Sequence, residues 1–174
     1  VAKVKYKSPK GYDDVTAYLR VADAAAAIEF YKAAFGAKER YRLTMGRLIG
    51  HAELDVGNAR IMLSDEFPDM AILGPKSVGN TTVMLVLYVS DADKVFERAI
   101  AAGGIVRRPL TDEFYGDRSG QIEDPFGHVW SIQERLEDVK PKEMQKRLDA
   151  MMAPGGAYAA KAVAKPKSNA KRKG

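Results

Sequence analysis

The feature that most constrains this chain is an internal repeat. Shifted by 68 positions, Leu19–Gly36 falls on Leu87–Gly104 with eight identities in eighteen positions and no gap. Leu19 meets Leu87, Val21 meets Val89, Asp23 meets Asp91 and Gly36 meets Gly104. The shared pattern includes a strand, a helix cap and a terminal glycine as well as an amphipathic helix. Such a combination marks a duplicated module rather than two chance helices.

Each copy predicts a strand, a helix and then further strands. Residues 15–21 alternate apolar and polar, as a half-buried strand does. Asp23 suits the N-cap of the next helix, which Ile28, Tyr31 and Phe35 line and Gly36 ends. Residues 83–89, Asp91, then Val95, Phe96, Ala99 and Ile100, and finally Gly103 and Gly104 repeat the plan. Further strands are expected at 37–43, 48–56 and 59–64 in the first copy. In the second they are expected at 105–108, 113–123 and 128–134. Gly57 and Asn58 read as a hairpin turn, and Asp124 to Gly127 as a Pro/Gly turn. Residues 67–80 are a Pro/Gly-rich crossover, and Pro141–Met152 is a last helix with proline in its first turn.

The organisation expected is therefore an arm at 1–12, a first module at 13–72, a crossover at 73–80 and a second module at 81–136. A helix at 137–153 and a disordered basic tail at 154–174 follow. The fold class is α+β. Two βαβββ repeats form a curved, partly closed mixed sheet.

A sheet covered by one helix layer has one buried and one free face. The aliphatic positions (Ala17, Leu19, Val21; Ala52, Leu54, Val56; Ile61, Leu63; Leu85, Leu87, Val89; Trp130, Ile132) are expected under the helices. The alternate positions then share the free face: Thr16, Tyr18, Arg20, His51, Glu53, Asp55, Met62, Ser64, Met84, Val86, Tyr88, Val129, Ser131 and Gln133. This mixture of aromatic, sulfur, hydroxyl and charged groups suits a ligand cavity better than a plain solvated face.

Composition narrows the function classes. Cysteine is absent, which excludes disulfides, thiol catalysis and cysteine metal sites and fits a cytoplasmic protein. No apolar run approaches the roughly 20 residues that span a bilayer, and residues 1–10 lack a signal-peptide core. The net charge is +5, but the last 25 residues hold six basic residues and no acid. Those six exceed the total by one, so the rest of the chain is close to neutral. Basicity is a property of the tail, where counterion release would allow contact with nucleic acid. No Gly-rich phosphate loop opens a helix, because Gly103 and Gly104 follow one.

Paired βαβββ units with the stretch DPFGHVWSI before the last strand resemble the vicinal oxygen chelate superfamily. That is the group of glyoxalase I, extradiol dioxygenases, fosfomycin-resistance enzymes and bleomycin-binding proteins. The stretches AAAAIEFYKAAFGAKE, GHAELDVGNARIMLSDEFP, YGDRSGQIEDPFGHVWSIQERLEDV and PKEMQKRL look like its PhnB-like branch. The likeness spans about residues 12–152. In the family's metal enzymes each half supplies two ligands, His, Glu or Gln, from cavity-facing strands. The resemblance puts those positions at Thr16, Met62, Met84 and Ser131. Two hydroxyls and two thioethers are poor ligands for a hard or borderline divalent ion. The expectation is a small-molecule-binding protein, glyoxalase-like or bleomycin-resistance-like, with no cofactor predicted.

Among other polar residues, His51 and Glu53 lie two apart on a strand, about 7 Å from each other on one face. They are the candidate catalytic pair, and the residues through which a displaced divalent metal would serve a lyase-type enzyme. Arg20 and Arg118 have the geometry to hold an anionic group bidentately, although ion pairing with nearby acids is the plainer role. Tyr115 to Arg118 are expected at the cavity mouth. Tyr18 and Tyr88 are placed to stack on a flat ligand. Two halves per cavity, and methionines along the last helix, point to a homodimer. A third reading makes the chain an interaction protein acting through its basic tail.

Overall fold

The computed structural model describes residues 8, 9, 11, 12 and 14–157. Most of the arm, and the tail beyond residue 157 to which nucleic-acid contact was assigned, lie outside the described residues.

The first module runs β1 (Ala17–Val21), α1 (Ala24–Phe35), β2 (Lys38–Met45), β3 (Leu48–Val56) and β4 (Ala59–Asp65). A 3-10 turn at Pro68–Met70 and the short helix α2 (Pro75–Val78) fill the crossover. The second module runs β5 (Met84–Tyr88), α3 (Ala92–Ala101), β6 (Ile105–Asp112), β7 (Asp117–Glu123) and β8 (Val129–Arg135). Helix α4 (Pro141–Met152) follows. The eight strands divide into two four-stranded mixed sheets, β1-β4-β3-β2 and β5-β8-β7-β6. In both, the first and last strands of the module pair in parallel and the others antiparallel.

The duplication extends to the caps. Asp23 Oδ1 accepts from Ala26 N at 2.9 Å, and Asp91 Oδ1 from Lys94 N at 2.9 Å. These satisfy amides that the first helical turn leaves unpaired. The acid that ends each last strand takes the next one: Asp65 Oδ1 accepts from Ala24 N at 2.7 Å, and Glu134 Oε2 from Ala92 N at 2.9 Å. Gly36 stops α1 in the left-handed region at φ 69°, where a side chain would be strained.

Helices α1 and α3 pack on each other and on their own sheets, so both modules contribute to one core. Leu54, Leu63, Ile122 and Ile132 are fully buried there. Phe35 and Trp130 join the halves with ring centroids 4.7 Å apart. At the junction sits Asp124, wholly buried. Its Oδ2 accepts from Tyr31 Oη at 2.8 Å and from Trp130 Nε1 at 3.0 Å. Its Oδ1 accepts from the amides of Phe126 and His128, both at 2.9 Å. Burial first, and the charge of Asp124 second, push the Tyr31 phenol well above its ordinary range. His128 also bridges the modules, with Nε2 3.0 Å from the carbonyl oxygen of Arg20.

One element departs from expectation. The strands expected at 105–108 and 113–123 are Ile105–Asp112 and Asp117–Glu123, with a turn between them. Pro109 suggests a strand end because it has no N–H to give a ladder. It is accommodated because β6 is an edge strand whose register shifts on both sides of Arg108.

Candidate functional site

Alternation decides what each sheet shows on its free face, and register decides which residues meet there. In the first sheet one row reads Tyr18, Met62, Glu53, Tyr41 across β1, β4, β3 and β2. The corresponding row of the second sheet reads Val86, Ser131, Gln121, Arg108. The duplicated backbone thus supports two different surfaces.

Glu53 is the centre of the first. Its side chain is only 2% exposed although it lies on the free face. Tyr12 Oη, reaching in from the arm, donates to its Oε1. Tyr41 Oη donates to the same oxygen at 2.5 Å, and His51 Nε2 lies 3.4 Å away. The other oxygen, Oε2, is buried without a hydrogen-bond partner among the described residues, 3.8 Å from Arg60 Nε. Burial disfavours the charge on Glu53, but the two tyrosine hydroxyls, His51 and Arg60 outweigh it and leave the carboxyl below its usual range. Glu53 is therefore a buried, ionised carboxylate. The bond to it, together with burial, pushes Tyr41 up to about 12, so Tyr41 keeps its proton as a donor.

His51 continues the chain of contacts. Its Nδ1 is 2.8 Å from Tyr18 Oη, and its ring lies beside Tyr18 and Tyr41 with centroids 5.5 and 5.7 Å away. Arg20 stacks its guanidinium 4.1 Å above the Tyr18 ring and donates to the buried Ser64 hydroxyl. Among the described residues Arg20 has no carboxylate partner. Beyond Arg60, a cleft of about 530 Å³ opens between Gly11, Phe35, Lys38 and Asp55.

The second face is built from neutral groups, arginine and the buried carboxylate of Asp117. Ser131 is fully buried, 3.3 Å from Ser119 Oγ, and accepts from Gln133 Nε2 at 3.0 Å. Arg108 reaches Glu113 and, at 2.9 Å, Ser119 Oγ, yet its Nε is buried without a partner. Tyr115, half-buried in the turn before β7, packs edge-on against Phe114 at 5.2 Å and also bonds to Arg108. Tyr88 donates to Asp117 Oδ2 at 2.9 Å. Met84, Val86 and Tyr88 are exposed along β5.

The expected residues thus separate. Tyr18, Arg20, His51, Glu53 and Met62 come together on the first face. Thr16 precedes β1 on the same side. Met84, Tyr88 and Ser131 share the second face with Tyr115 at its margin. Arg118 lies elsewhere, because β7 turns it to the helix side with Gly120 and Ile122. There it holds Asp93 with two bonds of 2.7 Å and Asp112 at 2.8 Å. Tyr12, Tyr41 and Arg108 are members of the site that alternation within single strands does not select, and Arg60 is one that alternation with Met62 and Ser64 does place on this face. The grouping of Asp91, Asp93 and Glu134 is an acidic cluster, largely exposed, at the start of α3, away from either face.

Residues 12–132 match the family model of the Glyoxalase/Bleomycin resistance protein/Dioxygenase superfamily. The chain belongs to that superfamily. A protein of Mycobacterium tuberculosis, Rv0887c, is 41% identical over 138 residues, covering 76% of this chain and 81% of its own length. The crystal structure of TioX from Micromonospora sp. ML1 aligns with a TM-score of 0.56 at 26% identity, over 74% of this chain and all of TioX. A Bacillus cereus PhnB protein, described as a putative 3-demethylubiquinone-9 3-methyltransferase, aligns with a TM-score of 0.55 at 18% identity. It covers 70% of this chain and 99% of that protein, a likeness of fold. The vicinal oxygen chelate fold is thereby established, and the PhnB protein shares it.

Proposed function

We propose that this chain binds a small organic molecule on its polar sheet faces, without a metal at the superfamily's usual place. The observation that carries the reading is the polar cluster around Glu53, a charged side chain 2% exposed on a face that has no helix over it. A carboxylate is buried so deeply only when many groups are arranged to hold it. Arg20, free of any acid among the described residues, adds a donor fork suited to an anionic group.

The donor set at the family's metal positions supports the metal-free reading. Thr16, Met62, Met84 and Ser131 supply hydroxyls and thioethers, and the Ser131 oxygen is already engaged by Ser119 and Gln133. These groups do not fit a divalent ion that selects imidazole and carboxylate, so no chemical step is routed through a metal.

We further read the protein as a cytoplasmic homodimer whose cavities are completed between copies. Val86 and Tyr88 remain 50% and 54% exposed on the second face, and Leu43 is exposed on the first. Setting one copy's first face against the other's second would cover these apolar side chains.

Metal analysis of protein purified without chelator tests the first part. Well under one equivalent of metal per chain is expected. Stoichiometric zinc, nickel, manganese or iron, lost in a His51→Ala/Glu53→Ala variant, would establish instead a lyase-type enzyme with displaced ligands. For binding, a panel of small carboxylates and phosphates should include one that raises the unfolding midpoint saturably. That shift should disappear in Arg20→Ala.

A further inference from the structure

We infer that Tyr18, His51 and Glu53 form a hydroxyl–imidazole–carboxylate relay that makes the Tyr18 oxygen a base toward a ligand held beside Arg20. This rests on the reading of the first face as a binding site and assigns that site a chemical step.

Proton positions follow from the partners. Both neighbours of His51 Nε2 are acceptors. Glu53 is ionised, and the Tyr41 oxygen, 3.4 Å away, has committed its own proton to Glu53. His51 Nε2 therefore carries the hydrogen, and Nδ1 has a free lone pair. The group at Nδ1 is the Tyr18 hydroxyl at 2.8 Å, which donates there in preference to its other acceptor, the Gly50 carbonyl oxygen at 3.5 Å. The buried carboxylate fixes the tautomer, the imidazole is oriented, and Tyr18 as a residue is 38% exposed on the free face. That is the arrangement by which an adjacent base activates a weak oxygen nucleophile.

The step balances within the protein. The Tyr18 proton passes to His51 Nδ1, and the imidazolium so formed keeps its Nε2–H on Glu53. The phenolate oxygen then takes a proton from the ligand. The electron pair of the broken bond stays on the ligand as negative charge, beside the guanidinium that stacks on the same ring. Return of the proton from His51 to Tyr18 oxygen, and from there to ligand or water, restores the starting state.

Tyr88 is the internal control. It is more exposed than Tyr18 and also hydrogen-bonded, but its partner is the carboxylate of Asp117. Burial and that carboxylate raise it, against the opposing Arg135. A tyrosine facing a carboxylate is a poor nucleophile; one facing an imidazole with a free lone pair is a good one.

The experiment uses 4-methylbenzenesulfonyl fluoride as probe and peptide mass mapping as readout, on the full chain near pH 8. Labelling forms a bond from tyrosine oxygen to sulfur and expels fluoride, and His51 receives the phenol proton. Tyr18 should be labelled on the order of tenfold or more faster than Tyr88. His51→Ala should abolish that preference and Glu53→Gln should weaken it. Equal rates at the two tyrosines, or an unchanged Tyr18 rate in His51→Ala, would overturn the relay. Nitrogen-15 NMR of the unsubstituted protein needs no variant. It should report the Nε2–H tautomer of His51, and the Nδ1–H tautomer would equally overturn the relay. The probe is neutral and independent of Arg20. Loss of ligand binding in Arg20→Ala with normal labelling would uphold binding and relay together. Failed labelling with intact binding would remove only the relay.

Discussion

The two modules share a plan and differ in what they present. Both bury an aliphatic sheet face under a helix capped by aspartate, and both end their last strand in an acid that binds the helix N-terminus. On the free faces, Glu53 of the first corresponds to Gln121 of the second, and Tyr41 to Arg108. Packing keeps the sheet positions under the helices mostly apolar, with Leu19 and Leu87 and Val21 and Val89 identical, although Trp130 stands where the first module has Ile61 and Asp124 where it has Val56. The free faces have diverged further, into one centred on the Glu53 carboxylate and its phenols and one that sets Arg108 and Ser131 on the same face as the buried Asp117. Chemistry has been placed where the fold is indifferent to it.

The strongest way to break this comparison is to remove what joins the halves. Asp124→Ala leaves the Tyr31 hydroxyl, the Trp130 indole and two amides without their acceptor. Each unsatisfied buried group costs about 1–3 kcal/mol, so a loss of at least about 3 kcal/mol is expected from urea denaturation. A second way is to rewrite the free faces. Thr16→His, Met62→Glu, Met84→His and Ser131→Glu together should convert a chain with little affinity for zinc into one that retains about one equivalent through gel filtration. If zinc is still not retained, the assignment of these four positions is wrong.

A smaller effect should separate Glu53 from its counterpart. Glu53→Ala strands two tyrosine hydroxyls near the surface and should cost about 1–2 kcal/mol, whereas Gln121→Ala should fall within about 0.5 kcal/mol. Equal losses would mean that the first face is no more constrained than the second. The smallest effects are in pH. The folded protein holds Glu53 below its ordinary range, so its contribution is present above about pH 4.3 and is lost as pH falls through the lowered value. Tyr31 is raised, so its contribution is complete below about pH 10 and is lost at higher pH. Unfolding midpoints measured across pH should show a shallower acid slope in Glu53→Gln and a shallower alkaline slope in Tyr31→Phe.

Periodicity within single strands was enough to separate buried from free positions. Leu54, Leu63, Trp130 and Ile132 lie in the core, and His51, Glu53 and Tyr18 lie opposite. What alternation lacks is register, which is decided by contacts between strands far apart in sequence. Tyr41 meets Glu53 only because β2 shifts by one residue at Glu39, and Tyr12 arrives from outside any strand. Arg118, expected at the cavity mouth, lies inside β7, which begins at Asp117, and alternation with Gly120 and Ile122 turns it to the helix side. Pro109 looked like a terminator, and only an edge position makes it harmless.

The buried Asp124 has a consequence for how the molecule could be divided. Its hydrogen bonds begin on the loop before β8 and end on α1, on either side of the duplication. A gene cut at the crossover would give one product with a phenol and an aromatic surface stripped of cover. The other would hold an ionised carboxylate in a half-built apolar core. Neither product should fold alone, and heating the intact chain should give one sharp calorimetric transition instead of two. Repetition supplied two similar parts, and one shared carboxylate has since made them inseparable.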